Sequence, residues 1–161
     1  MKFLTMILAL LISSLASANP LSSLKLLSEV KELSTKAIDL GKFAKGKLKT
    51  PGLVSFNERM IEDHQVSSNT LKEVTSSLSL PSTEEDKETS VVSKLKNLSG
   101  DKFEKQYITE SLQLNSSLLD LLKNKVLPVT ENAAVKGLLK NYIPRVSTLV
   151  DSLQVLKKQE E

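Results

Sequence analysis

The stretch PGLVSFNERMIEDHQVSSNTLKEVTSSLSL, from Pro51 to Leu80, decides how the rest of the chain is read. Pro51 and Gly52 open it and Pro81 closes it, which is where helix-interrupting residues belong. Between them Asn57, Met60, Ile61, His64, Ser68, Leu71, Val74 and Leu78 recur three or four apart, and this spacing predicts one inward stripe of a long helix. Glu58, Arg59, Glu62, Lys72 and Glu73 lie off the stripe and are expected to meet water. The stripe carries His64, the only histidine of the protein. An imidazole on the inner side of a long helix is the most chemically pointed feature of the sequence.

Working outward, Leu27, Val30, Leu33, Ala37, Leu40, Gly41, Ala44 and Leu48 predict a helix over about 22–48, with Ser22 or Ser23 as its cap. Gly41 and Ala44 on that stripe predict a close approach of another helix. Towards the C-terminus, Pro81 to Lys87 reads as a polar loop whose Ser82 or Thr83 caps a short helix over 84–97. Asp101 then caps a helix to about 126, with Phe103, Tyr107, Ile108, Leu112, Asn115, Leu118, Leu119, Leu122 and Val126 facing inward. Thr130 caps the last helix, about 131–157, in which Pro144 is expected to cause a kink or a split. Four long amphipathic segments and one short one predict an all-α helical bundle.

Composition agrees with that class. The 161 residues suffice for one domain, and 25% charged with 40% hydrophobic residues is ordinary for a globular chain. Aromatics are only 4%, so the core is built from leucine and valine. The net charge of +3 is small, and acidic and basic residues alternate along the chain, so no concentrated basic face for nucleic acid is visible. At the N-terminus, Lys2, the apolar run Phe3 to Ile12 and the small residues Ala16-Ser17-Ala18 predict a cleavable signal peptide, residues 1–18. The mature domain is then 19–161, exported to the periplasm or secreted, with no membrane-spanning segment because the run is shorter than the roughly 20 residues a span needs. Without cysteine, neither disulfides nor a lipid on an N-terminal thiol is available to it.

Three pieces of the sequence then carry a resemblance: Asp39 to Ala44 (DLGKFA), Phe56 to His64 (FNERMIEDH) and Leu98 to Tyr107 (LSGDKFEKQY), in that order. Together they resemble the DUF4142 family, exported bacterial proteins of ferritin-like four-helix form whose function is not settled. The resemblance implies an inner polar cluster, and this chain departs from it. An acidic residue is usual where Ala37 stands, and histidines are usual where Asn115 and Leu149 stand.

A two-metal carboxylate bundle needs about four carboxylates and two histidines, often as Glu-x-x-His, whereas Ile61 occupies the position three before His64. Glu62 and Asp63 sit about 200° and 100° around the helix from His64 and cannot both converge with it on one ion. A divalent metal held by His64 with Asp63, Asp39 or Glu110 is the alternative to a centre with no cofactor. In the latter, His64 is a neutral core residue bonded to Asn115 or to a backbone carbonyl. No nucleophile elbow or phosphate-cradling glycine loop occurs, so no catalytic residue is assigned. Three readings follow: a non-enzymatic structural or binding module, a metal- or redox-linked ferritin-like protein, and a carrier of an apolar ligand.

Overall fold

The computed structural model describes residues 20–76 and 90–159. The expected signal peptide, the 77–80 end of the central stretch, and the loop and helix start at 81–89 lie outside the described residues. Those described are all-helical, with no strand among them. Helix α1 spans Pro20–Ala44, α2 Pro51–Thr75, α3 Ser90–Ser93, α4 Gly100–Asp120, α5 Leu127–Val129 and α6 Ala133–Gln159, with a π-helical turn, Leu121–Val126, joining α4 to α5.

Several boundaries differ from the expected ones, each for a local reason. α1 starts at Pro20, ahead of Ser22, and ends at Ala44, because Gly46 adopts φ +78° and turns the chain. α4 starts at Gly100 with Ser99 as the extended cap residue, so Asp101 lies in the first turn and is not the cap. For α6 the cap is Asn132, whose Oδ1 accepts from the amides of Ala134 and Val135 at 2.9 and 3.2 Å; Thr130 does not serve. Of the helix expected over 84–97, the described part is the four-residue α3 followed by turns. Pro144 does not split α6. It sits on the exposed side of the helix.

The main packing runs from α1 to α2, α2 to α6, α6 to α4 and α4 back to α1, so α1 faces α6 and α2 faces α4 across the middle. Phe43 at the end of α1 meets Phe103 at the start of α4, and Gly52 at the start of α2 meets Leu156 at the end of α6. Helices α1 and α6 therefore run one way and α2 and α4 the other. The connection from α2 to α4 must return the full length of α2, about 37 Å at 1.5 Å per residue, and α3 on that connection packs against α1.

Apolar burial divides into two clusters. The upper one holds Ala37, Leu40, Ala44, Leu53, Phe56, Met60, Phe103, Tyr107, Ile108, Leu149 and Leu153. The lower one is mostly aliphatic, with Leu27, Val30, Leu71, Leu118, Leu122, Val126, Val135, Leu139 and Val146. Along three of the long helices the two sets meet near a buried polar residue: Ser34 on α1, His64 on α2, Ser111 and Asn115 on α4. The close approach at Gly41 is real in the packing. A Cβ there would lie 2.6 Å from Ile61 Cγ1. The inward stripe of α2 is rotated from the expected one, since Asp63, Ser67 and Thr75 are buried while Ile61, Ser68 and Val74 are only half-buried.

Candidate functional site

His64 sits in the layer between the two clusters with no solvent exposure. Its Nε2 lies 3.0 Å from Asn115 Oδ1 on α4, and its Nδ1 2.7 Å from the Tyr142 hydroxyl on α6. The two rings meet edge to face, at 84° between planes. Tyr142 in turn is 2.7 Å from Ser34 Oγ on α1, which lies 2.8 Å from the carbonyl of Val30 one turn earlier. One hydrogen-bonded chain thus joins all four long helices. It does so through the middle, linking α2 to α4 and α1 to α6, the pairs whose backbones face each other across the core.

Donor and acceptor roles follow from the ends of this chain. Asn115 Nδ2 donates to the carbonyl of Ser111 at 2.8 Å and points towards Met60 Sδ at 3.6 Å, so its Oδ1 is the atom that faces His64. Nε2 must then carry the proton. A neutral ring leaves Nδ1 as an acceptor for the Tyr142 O–H, and Tyr142 accepts from Ser34. Val30 O, Ser34, Tyr142, His64 and Asn115 make four contacts, yet Ser34, Tyr142 and a neutral His64 bring only three protons. Ser34 therefore has one proton to divide between the Val30 carbonyl and the Tyr142 hydroxyl. An imidazolium would supply the fourth and reverse the direction of the Tyr142 and Ser34 bonds.

Electrostatics decides between these forms. Burial lowers the His64 pKa from 6.5 to about 4, opposed in part by the bond to Asn115 and the charge of Asp63. The ring is neutral at pH 7. Burial raises the Tyr142 hydroxyl, so it stays protonated and able to donate. A second polar bridge lies in the upper cluster. Asn57 Nδ2 donates to the carbonyl of Gly41 at 3.1 Å, and Asn57 Oδ1 accepts from the Tyr107 hydroxyl at 2.8 Å.

The sequence-named residues fall in different places. His64 and Asn115 are together. Asp63, next to His64 in sequence, turns to the side and is held by Arg145 Nη1 at 2.6 Å, with Arg59 Nε 3.5 Å from its other oxygen. Asp39 is half-buried on α1, outside this hydrogen-bonded group. Glu110 accepts from Lys94 through both oxygens at 3.0 Å and from Gln106 at 2.8 Å. Among the described residues no three His, Cys, Asp or Glu side chains converge to hold an ion. Ala37 and Leu149, at the other two positions where the resemblance implies polar residues, are buried in the upper apolar cluster.

Sequence reading missed the roles of Tyr142, Ser34 and Arg145. Two of them left a trace. Ser34 falls between Val30 and Ala37 on the inner stripe of α1, and a buried tyrosine needs a partner for its hydroxyl. It also missed Glu104, buried near the start of α4, whose carboxylate accepts from the Lys49 and Thr50 amides and the Thr50 hydroxyl. Burial by itself would raise that carboxyl, but the three bonds and the nearby Lys49 together hold it below the ordinary range.

No curated protein and no solved structure matches the chain. The model of one family does, described as a domain of unknown function, and the match runs over residues 13–156. With nearly the whole length covered, the chain belongs to the DUF4142 family.

Proposed function

We propose that this chain is an exported protein of ferritin-like four-helix form that works as a structural or binding module, with the polar chain around His64 as an architectural centre. One observation carries this reading: both nitrogens of the only imidazole are engaged inside the core, by Asn115 and Tyr142. The nearest carboxylate, Asp63, is directed to Arg145. The residues present do not fit a two-metal carboxylate centre, because among the described residues no three His, Asp or Glu side chains converge, and Ala37, Asn115 and Leu149 stand where the resemblance implies an acidic residue and two histidines. The ferritin-like reading is supported by the parallel pairs on the diagonals and by the long return from α2 to α4, the connection such bundles use. Export is supported by the apolar run Phe3 to Ile12 and the small residues ending at Ala18.

The test is the metal content of the protein purified in its exported form, with its thermal midpoint in and out of a chelator. Essentially no bound metal and an unchanged midpoint are expected, since only a ligand of the native state shifts it. A fall of several degrees that zinc, iron or manganese reverses would establish the metal-linked alternative. N-terminal sequencing of the same sample should begin at Asn19, and a start at Met1 would remove the signal peptide.

A further inference from the structure

The fold gathers lysines from separate parts of the sequence at one end of the helices, where few acidic residues accompany them. Three observations pin that end together. Lys47 Nζ lies 3.2 Å from the centre of the Phe43 ring and 5.7 Å from that of Phe103, tying the α1–α2 connection to the first turn of α4. The Glu104 carboxylate caps the amides of Lys49 and Thr50 on the same connection. Leu156 near the end of α6 packs against Gly52 at the start of α2.

Lysines crowd this end. The close of α1 and the connection after it supply Lys42, Lys45, Lys47 and Lys49, all exposed. The first turns of α4 add Lys102 and Lys105, and the last turn of α6 adds Lys157 and Lys158, again all exposed. Against these eight cations the same turns hold two acids, Asp101 and Glu104, the second buried against Thr50; Glu160 and Glu161 follow in the sequence, outside the described residues. Six net positive charges on these turns exceed the +3 of the entire chain. Two of the exposed large apolar residues, Val54 and Val155, stand beside them on α2 and α6, 37% and 56% exposed, with an open groove between those helices lined by Phe56, Val155 and Leu156.

We infer that this lysine-rich end is a docking surface for an anionic lipid bilayer, with the lysines against headgroup phosphates and Val54 and Val155 at the interface. The side-chain chemistry separates lipid from nucleic acid. Single strands are held by exposed aromatic rings, and here Phe103 is buried and Phe43 lies under Lys47. Duplex reading relies on arginine forks, and both arginines of the chain, Arg59 and Arg145, are drawn to Asp63. Point-charge lysines flanked by apolar side chains match a headgroup layer, where each lysine adds to binding and the attraction falls off within a Debye length. This surface is separate from the polar centre, and the inference stands or falls independently of how His64 is read.

The experiment sediments the full chain with phosphatidylcholine vesicles, with and without phosphatidylglycerol. Two fourfold variants carry the same change in net charge: Lys45→Gln, Lys49→Gln, Lys102→Gln, Lys105→Gln at this end, and Lys72→Gln, Lys123→Gln, Lys125→Gln, Lys136→Gln at the other. Circular dichroism and the thermal midpoint establish that both remain folded. Expected is binding that requires phosphatidylglycerol, weakens with salt, falls about a hundredfold or more in the first variant and is nearly unchanged in the second. Equal loss in the two variants would mean that net charge alone acts, and would overturn the inference. So would binding kept by both, which would point to the N-terminal apolar run, and so would binding to a single-stranded oligonucleotide with none to the vesicles.

Discussion

The upper and lower halves of the core use the same four helices and hold them in different ways. Above the His64 layer, α1 and α2 touch at Gly41, Asn57 bridges the Gly41 carbonyl to Tyr107, and Glu104 fastens the α1–α2 connection to α4. Below it the contacts are mostly leucine and valine, and the π-helical turn after α4 adds Leu121, Leu122 and Val126 to them. Directional bonds and a steric fit select one register. Aliphatic packing rewards filled volume and discriminates less among shapes. The difference teaches that the upper half and the polar layer specify how the helices are aligned, while the lower half supplies burial.

Substitutions test this division, starting with the largest effect. Leu118→Ala in the lower half is expected to cost about 2–5 kcal/mol, and Leu118→Met less than about 1.5 kcal/mol. Denaturant titration measures both. If methionine cost as much as alanine, shape would matter below as it does above and the contrast would break.

The layer between the halves should show itself in acid. The His64 pKa is lowered to about 4 in the folded chain, so the unfolded chain takes up the proton first. The stability this neutral ring contributes is complete above about pH 6.5 and is lost as pH falls from there towards 4, about 3 kcal/mol in all. His64→Gln should remain folded and lose much of that slope. A ring that titrates near 6.5 by NMR would mean that it is not held in the dry layer described here. The same spectra report the Nε2–H tautomer at neutral pH, which the Asn115 carbonyl oxygen facing that nitrogen requires.

Two glycines sharpen the comparison by opposite signs. Gly41→Ala places a methyl against Ile61 and is expected to destabilise by about 1–3 kcal/mol. Gly137→Ala, in α6 beside the lower cluster, meets nothing within 4 Å and should stabilise by about 0.5–1 kcal/mol through helix propensity. Thermal midpoints moving the same way for both would show that propensity outweighs the close approach at Gly41.

The sequence by itself determined the class of fold and the four long helices, because a 3.6-residue period with apolar side chains reports a buried face wherever it is sustained. It also placed His64 and Asn115 on inner faces, and it marked Gly41 as a point of close approach. It did not determine caps and ends to the residue, since Gly46 at positive φ and the Asn132 cap are settled by a few local bonds that several neighbouring residues could have made. Beyond offering Asn115 as a partner for His64, it could not pair residues far apart in the chain. Periodicity gives a direction around one helix and carries no information about which side chain comes from the opposite one, so the partnership of His64 with Tyr142, 78 positions away, was out of its reach. The lysine-rich end has the same origin. Eight cations drawn from three separate segments look interspersed with acids along the chain, and only the antiparallel stacking of the helices brings them to one place.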